Sequence, residues 1–470
     1  MEKVNKSQKA KEFFLKNNKF IFVAAISLLL FFANLFSPLW IVATVLTLAF
    51  YIFLNVGEIV AFSLYFNMFS GIETFYIASL LCGFAVIVTK YVIDLVKKRK
   101  KIHVLPLSIT LTFIVLFSLI NYGYDSNGAL QGALIVSLLL VSYLLFVYRK
   151  QINVNESFRA LILGIAVSTV LALVSMAIPN FAHKIYHFDG TYKRLKLLCL
   201  HQNHLAVICL FAMSYYAHKI INQKGKLWKN LSVLVVLLVI GLFTMSKAFI
   251  VVAAFIVLYL FVYLIVIYKK KSLKFVIPSL IALVIICFIA KDLVLKIINR
   301  FVAYNTTSSF INQITTGRSG IWYEYFTYVS SSVKKMMFGV GLFSKELISI
   351  GPHNVFVYFL YRSGLVGIIM LGVLIWSYLR EYDGKFSIHF RNCLPILTFI
   401  IVAMEEMIFS DRFYFFMVLA LMLIFKPKEE TQEETKEEGT EEPAEELPKV
   451  AEKTKSSKKK KNGKKEQFEN

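Results

Sequence analysis

Runs of about twenty apolar residues recur from one end of this chain to the other, and that recurrence governs what it can fold into. Each such run crosses roughly 30 Å of hydrocarbon as a helix. The runs fall at 20–36, 39–55, 57–70, 72–96, 103–120, 129–148, 158–178, 203–220, 230–245, 247–268, 274–290, 353–379, 392–410 and 412–426. Composition agrees, because 57% hydrophobic and 15% aromatic residues over 470 positions is not the profile of a soluble domain. The chain therefore reads as an all-α polytopic membrane protein with about 12–14 transmembrane helices.

A formal net charge of +23 invites a nucleic-acid reading, but the distribution of the charge argues against one. Basic residues sit in short clusters between apolar runs, at Lys97–Lys101, Arg149–Lys150, Lys224–Lys229 and Lys269–Lys271. That is the enrichment of cytoplasmic loops in Lys and Arg, and it favours anionic lipid at the inner leaflet. The weakest run, 57–70, holds Glu58 and Asn67. Charge alternation needs it, because with residues 1–19 inside, the 97–101 cluster is inside only after four crossings. The resulting plan has a basic cytoplasmic stretch at 1–19 and a bundle at 20–290 with a small outer loop at 179–202. A large outer loop at 291–352 separates the eleventh and twelfth spans, further spans occupy 353–426, and a charged tail runs over 427–470. Both termini are then cytoplasmic. No small-residue cleavage site follows the Lys-rich start, so no cleaved leader is expected. The tail, an acidic stretch followed by a basic one, reads as a solvated extension. Cys82, Cys199, Cys209, Cys287 and Cys393 lack metal-ligand spacing and read as free thiols.

The large loop is rich in aromatic residues and cations, which suggests an ordered helical cap. It carries Thr316-Gly-Arg318-Ser-Gly-Ile-Trp322, in which flanking glycines free the backbone around an arginine whose fork suits a phosphate or diphosphate. Trp322 would support a sugar ring or the loop itself. The plainer alternative for Arg318 is an ion pair with Glu324 or a lipid headgroup contact. At the mouth of the next run stand His353 and Asn354, followed by Gly364 and Gly367. At 100° per residue both glycines fall on the stripe beneath His353, where small residues let a helix approach, while Arg362 faces the other way and takes no part. The alternative is a helix-capping histidine. The smaller loop ends with Lys193, Arg194, Lys196, His201, Asn203 and His204; outer-face cations there call for a reason, either an anionic ligand or headgroup snorkelling. Lys247, in a short turn between two spans, would be a third cation or would snorkel. Carboxylates that could serve as a base are few, namely Asp189, Glu324, Glu346 and the Glu405–Glu406 pair. No metal cage or Asp-rich motif stands out, and no metal or other cofactor is expected.

These residues carry a resemblance. His353-Asn354-(nine residues)-Gly364-Leu-Val-Gly367, the upstream Gly-Arg-Ser-Gly-Ile-Trp, Gly339-Val-Gly341 and the loop ending Asn203-His204 together resemble the bacterial O-antigen ligase/polymerase family. Motif similarity covers about 190–370. The family's frequent Ser-Arg is Ser246-Lys247 here, which keeps the charge and loses the bidentate fork. The resemblance implies a glycosyltransferase-C-like fold in a bacterial cytoplasmic (inner) membrane, with a metal-independent inverting site on its outer face. The implied donor is a polyprenyl-diphosphate-linked glycan and the acceptor a second glycan, with a chain-length regulator and a flippase as accessory partners besides membrane lipid, and no nucleic acid. It implies catalytic roles for His353, Arg318 and Arg194, and substrate binding by Lys247, Asn354, Trp322, Lys193 and Asn203. Polymerisation of repeat units is the favoured reaction and ligation of a finished glycan to lipid A-core or another acceptor the alternative. A lipid-linked glycan flippase is a second alternative, against which the missing internal repeat and the outer-end clustering of charge both speak.

Overall fold

The computed structural model describes residues 19–178, 181–189, 192–268, 317–346, 351–383, 390–405 and 414–424, together with Lys291, Leu295 and Ile348. The expected span at 274–290, residues 1–18, Cys287, Tyr304, Glu406 and the tail at 427–470 lie outside the described residues. The main helices are α1 (Lys19–Ala33), α2 (Leu39–Phe53), α3 (Val56–Phe66), α4 (Glu73–Val96), α5 (Val104–Leu119), α6 (Ser126–Val147) and α7 (Val154–Ser175). A single turn, α8 (Ala182–Ile185), and a hairpin of β1 (Tyr186–Asp189) and β2 (Tyr192–Leu195) follow. Next come α9 (Gln202–Ile221), α10 (Leu227–Phe243) and α11 (Lys247–Tyr268). The chain then gives α12 (Arg318–Ser330), α13 (Val333–Phe338), α14 (Val355–Asp383), α15 (Leu394–Glu405) and α16 (Tyr414–Ile424).

Among the described residues, six helices are long and apolar enough to cross a membrane and seven more are apolar but shorter. The protein is a helical membrane protein. Some helix starts differ from the apolar runs because the chain begins those helices at a polar cap outside the run. Asp125 caps α6 through the Gly128 amide at 2.6 Å, and Asn153 caps α7 through the amides of Asn155 and Glu156. Glu58, which weakened the third run, closes a capping box with Asn55 and pairs with Lys19. Its charge is therefore satisfied at the helix end.

α9 is the central helix, 89% buried, against 28% for α11. A helix shielded from lipid by its neighbours can carry Gln202, Asn203, His204, Ser214 and His218 without exposing them to hydrocarbon. The helices alternate in direction and define two ends. At one end the Tyr148 hydroxyl donates to Asp94 at 2.8 Å and Lys100 reaches the Val147 carbonyl. This basic end holds the Lys97–Lys101, Arg149–Lys150 and Lys224–Lys229 clusters. At the other end the Gly71 amide donates to Leu198, and the Tyr122 amide to Ser344. The hairpin, the α10–α11 turn and the segment preceding α14 all lie at this second end.

The described part of the large loop holds α12 and α13 followed by the irregular segment 339–346, and α14 departs from expectation. It begins at Val355 rather than at His353, and at Gly364 (φ 62°, ψ −167°) it is not helical. The carbonyls of Tyr361 and Arg362, deprived of helical donors by that break, accept instead from the amides of Val340 and Gly341 at 2.9 Å, and the Leu342 amide donates to Phe117 at the end of α5. Gly339 (φ 67°) and Gly341 (φ 94°) let the inserted strand turn in; a Cβ at either, or at Gly364, would overlap backbone atoms.

Candidate functional site

The eight candidate residues fall into two groups at the same end of the bundle. The first is built on the hairpin. Antiparallel pairing sets Arg194 opposite His187 and Lys193 opposite Phe188. Successive strand residues point to opposite faces, so Arg194 is buried while Lys193 is exposed over the Phe188 ring. The strand thus separates two cations that the sequence grouped together. Arg194 Nε donates to the Thr244 carbonyl at 3.1 Å and one terminal nitrogen donates to Asn203 Oδ1 at 3.1 Å. These bonds join β2 to the first turn of α9 and to the 244–246 turn, where Met245 has φ 51° and Lys247 opens α11, half-buried. Arg194, Asn203 and the turn carrying Lys247 are therefore brought together. The cap of α9 is His201, whose Nδ1 accepts from the Asn203 amide at 3.3 Å. Rings of His187, His201 and His204 stand 5.6 and 6.1 Å apart in sequence order. Nearby, burial and then the charge of Lys184 hold the Lys196 ammonium below its usual range.

The second group is built on α12. Gly317, left-handed at φ 84°, precedes the helix, and Arg318 is its first residue, half-buried. Trp322 stands one turn on, and its indole N–H donates to the Pro352 carbonyl at 2.7 Å. Tyr325 and Val329 of the same helix pack on Val357 and Tyr361 of α14, with the two tyrosine rings edge to face at 5.0 Å. Trp322 thus anchors α12 immediately before His353 rather than offering its nitrogen to a ligand. His353 itself has φ 47°, left-handed for a residue with a Cβ, which costs roughly 1–2 kcal/mol. It is held there from both sides, by the Pro352 carbonyl and by Asn354, whose Oδ1 accepts from the Phe356 and Val357 amides at 2.9 and 3.1 Å. Asn354, expected to bind substrate, is the N-cap of α14, and its oxygen is committed to that cap. His353 is not the cap.

Arg362, expected to play no part with His353, has partners of its own. It is fully buried and donates to the Ser344 carbonyl, to the Tyr358 hydroxyl at 3.2 Å and to Glu346 at 3.2 Å. Glu346, a candidate base, accepts from Asn127 with its other oxygen at 3.1 Å, and Tyr358 donates to Gln131 at 3.4 Å. These bonds tie the 344–346 segment to α6 and to the upper half of α14. The stripe argument failed because 100° per residue does not continue through Gly364. The glycines do permit close approach, as expected, but Gly364 meets the end of α13 and Gly367 meets Phe117 of α5.

The first turns of α9, α11, α12 and α14 all open at this end, each with one of the candidate side chains in or just before it. Helix N-termini carry partial positive charge, so the dipoles favour an anion both beside Arg194 and Lys247 and beside Arg318, and the constrained imidazole of His353 belongs to the second group. Among the described residues no cluster of three or more His, Cys, Asp and Glu is arranged to hold a metal. Comparison with known proteins returns no matching family model, no similar curated protein and no similar solved structure.

Proposed function

We propose that the chain is a membrane glycosyltransferase that polymerises polyprenyl-diphosphate-linked oligosaccharide repeat units into a surface polysaccharide, working on the outer face of a bacterial cytoplasmic membrane. The observation that carries this reading is the Trp322–Pro352 hydrogen bond, which sets the Gly-Arg-Ser helix against the constrained His353 from thirty-five residues away in sequence. In this reading Arg318, Arg194 and Lys247 hold the donor diphosphate. The acceptor hydroxyl, its proton passing to His353, attacks the anomeric carbon from the face opposite the phosphate. The sugar–phosphate bond breaks, the electron pair stays on the diphosphate, and the guanidinium groups stabilise that charge. A diphosphate leaving group needs little protonation, which suits a site rich in cations and poor in acids.

The test is a gel ladder of surface glycan from a deletion strain complemented with wild type or His353→Ala. A polymerase predicts single repeat units on their usual carrier in both the deletion and the variant strain, and long chains with wild type. Long chains stranded on polyprenyl diphosphate in the deletion strain would identify a ligase instead, and a normal ladder from His353→Ala at normal abundance would remove His353 from the site.

A further inference from the structure

A groove of about 300 Å³ runs between α6, α14 and α16, lined almost wholly by apolar side chains. Phe356 and Ile375 on its wall are 48% and 37% exposed, so it opens sideways toward lipid. Three polar side chains interrupt it, Tyr378, Arg149 and Ser142, and the last two carry the argument. At the basic end Arg149 lines the groove, its guanidinium reaching back one turn to donate to the Phe146 carbonyl at 3.0 Å and to lie 4.3 Å from the Phe146 ring centre. One turn deeper, about 6 Å along α6, Ser142 lines the same wall, 4% exposed, with a hydroxyl that has no hydrogen-bond partner among the described residues.

We propose that this groove is a binding site for an anionic diacyl phospholipid drawn from the leaflet at the basic end. The phosphate sits on Arg149, a glycerol ester carbonyl accepts from Ser142, and one acyl chain lies along the groove toward Phe356. Charge selects the headgroup, since a guanidinium beside hydrocarbon is best matched by a phosphate. The buried hydroxyl selects the backbone, because an unsatisfied donor in an apolar wall is costly, and a diacyl lipid presents an acceptor one turn above its phosphate where a polyisoprenoid presents only carbon. The site is separate from the proposed glycan chemistry and does not depend on it.

The experiment uses the full chain purified in mild detergent, with extracted lipid identified by mass spectrometry and thermal unfolding followed with added lipid. Wild type should retain anionic phospholipid. Dioleoyl phosphatidylglycerol should raise its unfolding midpoint by a few degrees, with dioleoyl phosphatidylcholine far less effective. Gly372 lines the groove and a Cβ there meets nothing within 4 Å, so Gly372→Phe should fill the groove and cut retention about tenfold, roughly 1.4 kcal/mol. Arg149→Gln should erase the preference for the anionic headgroup, and Ser142→Ala the preference for a diester over a diether lipid; both only remove groups, so they carry the test if Gly372→Phe does not fold. Retention of polyprenyl phosphate in place of phospholipid, equal effects of the two headgroups on wild type, or full retention by a folded Gly372→Phe would each overturn the proposal.

Discussion

Two arginines sit at the same end of this bundle, both buried, and the chain treats them differently. Arg362 is neutralised by Glu346 and bonded to a carbonyl and a phenol, so its charge is consumed in fixing the 339–346 segment to the broken helix. Arg194 donates to two neutral oxygens, the Thr244 carbonyl and the Asn203 amide, which orient the guanidinium between β2, α9 and the 244–246 turn. A buried cation matched by a carboxylate is architecture, whereas one oriented by dipoles is suited to receive an anion. Sequence alone separates the two in the same direction, because Arg194 lies in an evident cationic loop and Arg362 faces away from His353, but it does not show what Arg362 holds.

Four substitutions sharpen or break that contrast. The largest effect is expected from Arg194→Ala, which should lower glycan product by about 10²–10³-fold, as for removal of one oriented donor at a developing anion, with normal abundance in the membrane; product and abundance falling in step would erase the distinction from Arg362. His353→Gly should abolish the ladder to a similar extent while raising the unfolding midpoint, since glycine relieves about 1 kcal/mol of left-handed strain. A lowered midpoint would show that the imidazole holds the fold. Arg362→Ala should do the reverse of Arg194→Ala. Glu346 keeps some exposure, so the cost falls at or below the low end of the buried-pair range, about 2–3 kcal/mol; it should appear as a depressed unfolding midpoint in detergent, and Glu346→Gln in the same chain should partly restore it. Lys193→Ala, on the far face of the strand from Arg194, should change stability by less than about 0.5 kcal/mol and leave the ladder intact. A shortened ladder would mean that both faces of the hairpin meet substrate.

The helices were legible because lipid imposes one rule on every span: among the described residues apolar length predicts a helix, even at 57–70, where Glu58 disappears into a cap. The small differences at the starts of α6 and α7 arise because their caps are polar and an apolar window cannot see them. The grouping of Arg194, Asn203 and the 244–247 turn was legible as chemistry, since cations on the wrong face ask for a partner. The division of labour around His353 was not. Asn354 and Trp322 look like ligand-binding residues in a motif, yet one caps α14 through amides two and three residues on and the other holds Pro352, thirty residues away. Periodicity placed Gly364 and Gly367 beneath His353, which holds only for an unbroken helix that begins at the histidine. Gly364 carries no local sign that its φ will be positive, because the reason for it, the approach of Met337 and Phe338, lies in another element.

The exchange of hydrogen bonds at that break also couples two distant parts of the chain. In lipid, the Tyr361 and Arg362 carbonyls freed at Gly364 need donors that a bilayer does not offer. Val340 and Gly341 supply them, and the next residue, Leu342, donates to Phe117 near the end of α5. The broken form of α14 and the docking of the 339–342 segment on the first half of the bundle therefore stand or fall together, so the segment that leads to His353 is also a splint for the helix below it.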